Sequence, residues 1–121
     1  MNPAILVVDD QSELRLLVRI TLQPLGKIAT AENAEQAREH IASVPTRLVV
    51  LDVWLGAGQS GIDFCRALKS DPATQDIKVI LLSANGNQPD IDAGMAAGAD
   101  AYIVKPYSPR DLLVKATQLL H

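Results

Sequence analysis

Arg47-Leu48-Val49-Val50-Leu51-Asp52 decides how the rest of the chain reads. Four branched apolar residues follow one another with no polar residue between them. A strand with one wetted face alternates apolar and polar side chains; a strand covered on both faces does not. The run therefore predicts a strand over 47–51, inside a parallel sheet and ending on the carboxylate of Asp52. Two further runs share this character. Ala4 to Val8 ends at Asp9-Asp10, and Lys78 to Leu82 ends at Ser83. A weaker strand over 27–31 and a last strand over 101–104, ending at Lys105-Pro106, complete the set.

Helical patterns fill the intervals. Ser12 is a candidate cap for a helix in which Leu14, Leu17, Val18 and Leu22 fall at helical spacing, closed by Pro24 and Gly26. Asn33-Ala34-Glu35-Gln36 reads as a capping box, with Ala37 and Ile41 inward. A loop with Gly56, Gly58 and Gly61 leads into a helix over 62–70 carrying Ile62, Cys65 and Leu68, which Asp71-Pro72 breaks. The helix over 89–97 is weak. Its central Gly94 costs about 1 kcal/mol against alanine, and Ile91 and Met95 are its large apolar anchors. It is expected to be the most mobile helix. Ser108 caps the last helix with Pro109 at its first position, and Leu112, Leu113, Ala116 and Leu120 face inward. Five strands alternating with five helices predict one α/β domain over 1–121, a doubly wound parallel sheet.

Bulk properties narrow the function. A chain of 121 residues supports one core, not two. Aromatics make up 3%, so that core must be Ile, Leu, Val and Ala. The net charge of -3, with no Lys or Arg block, argues against nucleic acid as a partner. No apolar run approaches the roughly 18 residues that span a membrane. Met1-Asn2-Pro3 does not open a signal peptide, so the cytoplasm is the expected compartment. Cys65 is alone, which excludes an internal disulfide and a thiolate metal cluster, and it reads as a core residue. His40 and His121 lack metal-ligand spacing.

Ligands of open parallel sheets bind at the carboxyl ends of the strands. The polar residues there are Asp9, Asp10, Asp52, Ser83 and Lys105. Two carboxylates about 4 Å apart repel by on the order of 4 kcal/mol at an effective dielectric near 20. A hard divalent cation such as Mg²⁺ relieves this, because it prefers oxygen ligands and takes one or two carboxylates plus a phosphate. The Lys105 amine and the Ser83 hydroxyl suit phosphate oxygens, so the set fits a phosphoryl group on a carboxylate.

Four pieces of the chain carry a resemblance to a known family. They are Ile5-Leu6-Val7-Val8-Asp9-Asp10, Leu48-Val49-Val50-Leu51-Asp52-Val53, Ile80-Leu81-Leu82-Ser83-Ala84, and Gly98-Ala99-Asp100-Ala101-Tyr102-Ile103-Val104-Lys105-Pro106. In this order and spacing the chain resembles the receiver domains of two-component response regulators. The resemblance implies a flavodoxin-like fold with strand order 2-1-3-4-5. It implies Asp52 as phosphoacceptor, and Mg²⁺ held by Asp9, Asp10, Asp52 and the backbone carbonyl of Trp54. It implies Lys105 against phosphoryl oxygens, a cis bond between Lys105 and Pro106, and Ser83 with Tyr102 as the switch pair. The donor would be a sensor histidine kinase or a histidine phosphotransfer protein. The downstream effector is left open, as is a homodimer. Such a domain catalyses its own phosphorylation and dephosphorylation and is not a turnover enzyme.

The chain departs from the family pattern in three places. Trp54-Leu55-Gly56 stands where a proline is common at the third place. Gly61 comes one residue later than usual, and Ser83 stands where Thr is also frequent. Trp54 reads either as a partly exposed packing residue or as a shield over the acyl phosphate. Two enzyme or cofactor readings compete. A haloacid-dehalogenase-like phosphatase would need an Asp where Trp54 stands. A flavin or nucleotide binder would need a small-residue loop in place of Asp9-Asp10-Gln11. A receiver fold that binds partners without phosphorylation is the fourth reading.

Overall fold

The structure is a computed structural model that describes residues 4–56 and 60–121. Met1, Asn2, Pro3 and Gly58 lie outside the described residues. The order is β1 (Ala4–Val8), α1 (Ser12–Leu22), β2 (Lys27–Ala31), α2 (Ala34–Ser43), β3 (Leu48–Asp52), α3 (Gly61–Ser70), β4 (Lys78–Ser83), α4 (Gln88–Ala96), β5 (Ala101–Val104) and α5 (Pro109–Leu120). All strand pairs are parallel, in the order β2-β1-β3-β4-β5. The doubly wound fold and its strand order are as expected. β3 sits one residue later than predicted and includes Asp52 itself, which pairs with Leu82.

Alternate residues of the central strands feed two apolar layers. Leu6, Val8, Val49, Leu51, Val79 and Leu81 pack against Ala37, Phe64, Cys65 and Leu68 of α2 and α3. Ile5, Val7, Leu48, Val50, Ile80 and Leu82 pack against Val18 and Leu22 of α1 and Leu112, Ala116 and Leu120 of α5. Each fully buried Leu, Ile or Val contributes about 1.5–3 kcal/mol. This two-sided burial is why β3 contains no polar residue before its last position.

Several local expectations shift. Ser12 does not cap α1; it is the first helical residue, and Gln11 stands at the cap position without a side-chain bond. The carboxylate of Asp9 has taken over the turn, accepting from the Gln11 N–H at 2.9 Å. Leu17 faces solvent rather than the core. In α2, Asn33 caps the Gln36 N–H as expected, but the Gln36 side chain reaches the N–H of Glu32. Ser108 caps α5 as read from the sequence.

α4 rests on the sheet differently from its sequence reading. Met95 is exposed, so it anchors nothing. Gly94 is the buried contact instead: a methyl built there would lie 2.8 Å from the Tyr102 ring and 3.0 Å from Leu81. The glycine that weakens the helix is the notch that seats the tyrosine. With so little apolar surface buried, the backbone amides of α4 are expected to exchange with solvent faster than those of α1. Equal protection in the two helices would contradict this.

Candidate functional site

The register brings the strand tips together. Val8 pairs with both Ala31 and Leu51, and Ser83 pairs with Val104. Asp9, Asp52, Ser83 and Lys105 therefore end neighbouring strands at one edge of the sheet. The ladder runs on through the Asp9 N–H to Ala31, the Val53 N–H to Leu82 and the Lys105 N–H to Ser83. Asp9, Asp52 and Ser83 are buried, which is unusual for carboxylates and requires partners.

Those partners are specific. The Lys105 ammonium donates to Asp52 Oδ2 at 2.5 Å. The Trp54 N–H donates to Asp52 Oδ1 at 2.9 Å. Ser83 Oγ accepts from the Asn85 N–H at 3.0 Å, and the Tyr102 hydroxyl donates to the Asn85 carbonyl at 2.8 Å. The Lys105–Pro106 peptide is cis. Asp10 is exposed, and its Oδ2 lies against the loop after β3: a methyl on Gly56 would stand 2.6 Å from it. Gly56 itself has φ +74°, a conformation that suits glycine. The Trp54 ring is 65% exposed, so it adds little to the packing.

One lysine does not neutralise this cluster. Asp9 is pushed up to about 6, first by burial, against the opposing bond from Gln11, and further by the neighbouring charge of Asp52. Among the described residues no three His, Cys, Asp or Glu side chains come together as a group that could hold a metal ion by themselves. Mg²⁺ needs no such group; it is held by one or two carboxylates and keeps its waters. The all-oxygen donors and the unrelieved negative charge at Asp9 fit that ion.

The shift at Asp9 has a consequence for stability. The folded state binds this proton more tightly than the unfolded chain does. The resulting stabilisation is present in full below the unfolded value of 3.8 and is lost as pH rises through about 6. In EDTA, Asp9→Asn is therefore expected to be more stable than the parent at pH 7.5, by on the order of 3 kcal/mol, and to lose the advantage near pH 4. Denaturant melts at the two pH values measure this. A parent no less stable than Asp9→Asn at pH 7.5 would show that the carboxylate is already satisfied.

Three residues near the site escaped sequence reading. Arg15, from α1, donates through Nη1 to the Asp9 carbonyl at 2.7 Å and approaches Glu32 at 3.8 Å. Asn85 is the backbone link between Ser83 and Tyr102. Tyr107 lines a crevice of about 450 Å³ beside Asp9 and Lys105, with Leu14, Leu17 and Pro106. Burial pushes the Tyr107 phenol up, and the charges of Asp9 and Asp52 add to this. No spacing rule in the chain marks any of the three.

A doubly wound sheet with a buried acid, a second acid and a lysine at its carboxyl edge defines the class, and comparison with known proteins agrees. The profile of the response regulator receiver domain matches residues 5–117, and the chain belongs to that family. The phosphate regulon transcriptional regulatory protein PhoB of Pseudomonas aeruginosa is 39% identical over 99% of this chain and 52% of its own length. PhoB of Escherichia coli is 38% identical over 95% of this chain and 50% of its own. The chain thus spans about half the length of these curated relatives. Among solved structures, the response regulator DrrB of Thermotoga maritima, an OmpR/PhoB homolog, superposes with a TM-score of 0.90 at 33% identity, covering 99% of this chain and 53% of that one. A BeF3-activated DrrB receiver domain gives the same score and identity, over 99% of this chain and 98% of that one.

These relatives are named as transcriptional regulators, so they lend no support to the expectation that nucleic acid is excluded as a partner. No helix among the described residues is long and apolar enough to cross a membrane. Nothing in the comparisons favours the phosphatase, the flavin or nucleotide binder, or the phosphorylation-independent module.

Proposed function

We propose that Asp52 accepts a phosphoryl group from a phosphohistidine, on a sensor histidine kinase or a histidine phosphotransfer protein, and that the modified domain switches a partner or output domain. The observation that carries this is the Asp52–Lys105 pair at the strand tips with Asp9 pushed to about 6 beside it. A carboxylate oxygen of Asp52 forms the new bond to phosphorus as the bond to the histidine nitrogen breaks. Lys105 releases Asp52 and turns its ammonium to the phosphoryl oxygens. Asp9, Asp10, Asp52 and the Trp54 carbonyl would hold Mg²⁺; among the described residues nothing donates to that carbonyl. When bound, the ion supplies charge neutralisation for the transferred group.

Ser83 then turns its hydroxyl toward the phosphoryl group, which disturbs the Asn85 segment that holds Tyr102. α4 and β5 answer, because the Tyr102 ring lies on Gly94. The domain is not a turnover enzyme: the group stays on the protein until water removes it. The reading places the whole chain, 1–121, in one domain and in the cytoplasm, where a kinase draws on ATP. Pairing with a second copy remains one way for the altered β5 face to act.

Trp54 provides the test. It is the one tryptophan in the chain and follows Asp52 by two residues. Its emission is expected to change on adding Mg²⁺, and again on adding beryllofluoride, but not with beryllofluoride in EDTA. A silent tryptophan, with no phosphate found on the protein by mass spectrometry after a small phosphodonor and Mg²⁺, would refute the reading.

A further inference from the structure

The segment joining β4 to α4 holds a group whose chemistry the phosphorylation reading does not use. Asn85 is followed by Gly86, and both are exposed in a stretch without regular structure. Asparagine before glycine closes on itself most readily, because glycine offers no side chain to block the approach of its own amide nitrogen. The structure leaves this pair open. The Gly86 N–H donates to nothing among the described residues, and the Asn85 side-chain amide has no partner there. The other described asparagines differ. Asn33 precedes Ala34 and caps the Gln36 N–H; Asn87 precedes Gln88 and caps the Asp90 N–H. Their side chains are held and their neighbours are bulkier.

We propose that Asn85 is a site of spontaneous deamidation, and that its conversion to aspartate or isoaspartate charges the switch segment and weakens phosphoryl acceptance. The Gly86 nitrogen attacks the Asn85 Cγ, a bond forms between them, and the side-chain nitrogen leaves as ammonia. Water then opens the cyclic imide at either carbonyl. The net change is amide plus water to carboxylate plus ammonium. Opening at one carbonyl leaves an aspartate side chain. Opening at the other reroutes the main chain through the side-chain carbon. The oxygen that accepts from the Tyr102 hydroxyl then belongs to a free carboxylate, and the chain gains one methylene before Gly86.

Either product adds a negative charge to the segment whose N–H binds Ser83 Oγ, at an edge already crowded with Asp9 and Asp52. Like charge opposes an incoming phosphoryl group. The second half of the proposal rests on Asp52 as acceptor; the first half does not.

The test is to hold the whole protein at 37 °C and mildly alkaline pH and follow it by peptide mapping that separates aspartate from isoaspartate. Conversion at Asn85 is expected while Asn33 and Asn87 stay intact; conversion of Asn85 no faster than of Asn87 would overturn the proposal. The aged and fresh proteins are then given a small phosphodonor with Mg²⁺. The converted fraction is expected to lose phosphoryl acceptance relative to the unconverted fraction of the same sample, and equal labelling of the two would overturn the functional half. Asn85→Gln cannot close the five-membered imide and should label equally before and after ageing. If fresh protein takes no phosphate at all, the acceptor reading fails, while the mapping result on Asn85 stands by itself.

Discussion

Asp52→Asn is expected to take up no phosphate from a small donor with Mg²⁺ present, as read by intact mass. The amide is not a nucleophile toward phosphorus, and it removes one of the two buried carboxylates that draw a cation to the site. The substitution also separates function from folding. The amide oxygen can still accept the Trp54 N–H, as Oδ1 does now. Asp9 remains to receive the Lys105 ammonium, and it loses the Asp52 charge that helps to raise it. The variant should therefore fold and keep the Trp54 response to Mg²⁺ in weakened form, with no response to beryllofluoride. Phosphate found on the variant would move the acceptor to another residue and end the assignment.

The second large effect is on stability. Gly61→Ala would place a methyl 2.1 Å from the backbone oxygen of Asp52, 2.9 Å from its carbonyl carbon and 3.0 Å from Val53 Cα. All three atoms are backbone, two of them at the last residue of a buried strand and the third on the residue after it, so none can turn aside. The Gly61 N–H, donating to the Val53 carbonyl at 2.7 Å, holds the start of α3 at that place. Overpacking costs about 1–3 kcal/mol in ordinary cores, and a backbone obstacle belongs at the top of that range. Alanine returns at most about 1 kcal/mol as a helix former. A net loss near 2 kcal/mol lowers the unfolding midpoint by about 8 °C. Because Asp52 must shift to admit the methyl, affinity for Mg²⁺ should fall as well. An unchanged midpoint would mean that β3 and α3 are less tightly joined than the structure has them.

The glycine illustrates how far sequence reading reaches. Gly61 is legible as a loop glycine, and its late position relative to Asp52 is legible as a departure from pattern. What it does is not: nothing local says that a helix start presses on the carbonyl of Asp52. Gly94 makes the same point with the opposite sign. As sequence it is a defect in a helix, and Met95 looks like the anchor. In the structure Met95 is exposed, and the absence of a side chain at 94 admits the Tyr102 ring. Asp100 is comparable. It reads as one letter of a motif, yet its Oδ2 accepts from Lys69 at 2.9 Å and from the Val79 N–H at 2.8 Å, tying α3 to the start of β4.

The strands to within a residue, their order of appearance and the polar residues at the ends of β1, β3, β4 and β5 were determined by the sequence alone. Unbroken apolar runs have one physical outcome, burial on both faces, and each run stops at the residue that cannot be buried cheaply. Tertiary structure decided which of those ends meet and what each side chain then touches. Lys105 on Asp52 and Tyr102 on the Asn85 carbonyl join residues 53 and 17 positions apart, and even Arg15, six residues from the Asp9 carbonyl, reaches it only because α1 folds back over the end of β1. Such contacts depend on strand register and helix approach, which are set by the packing of the whole core and leave no periodic trace in the residues themselves.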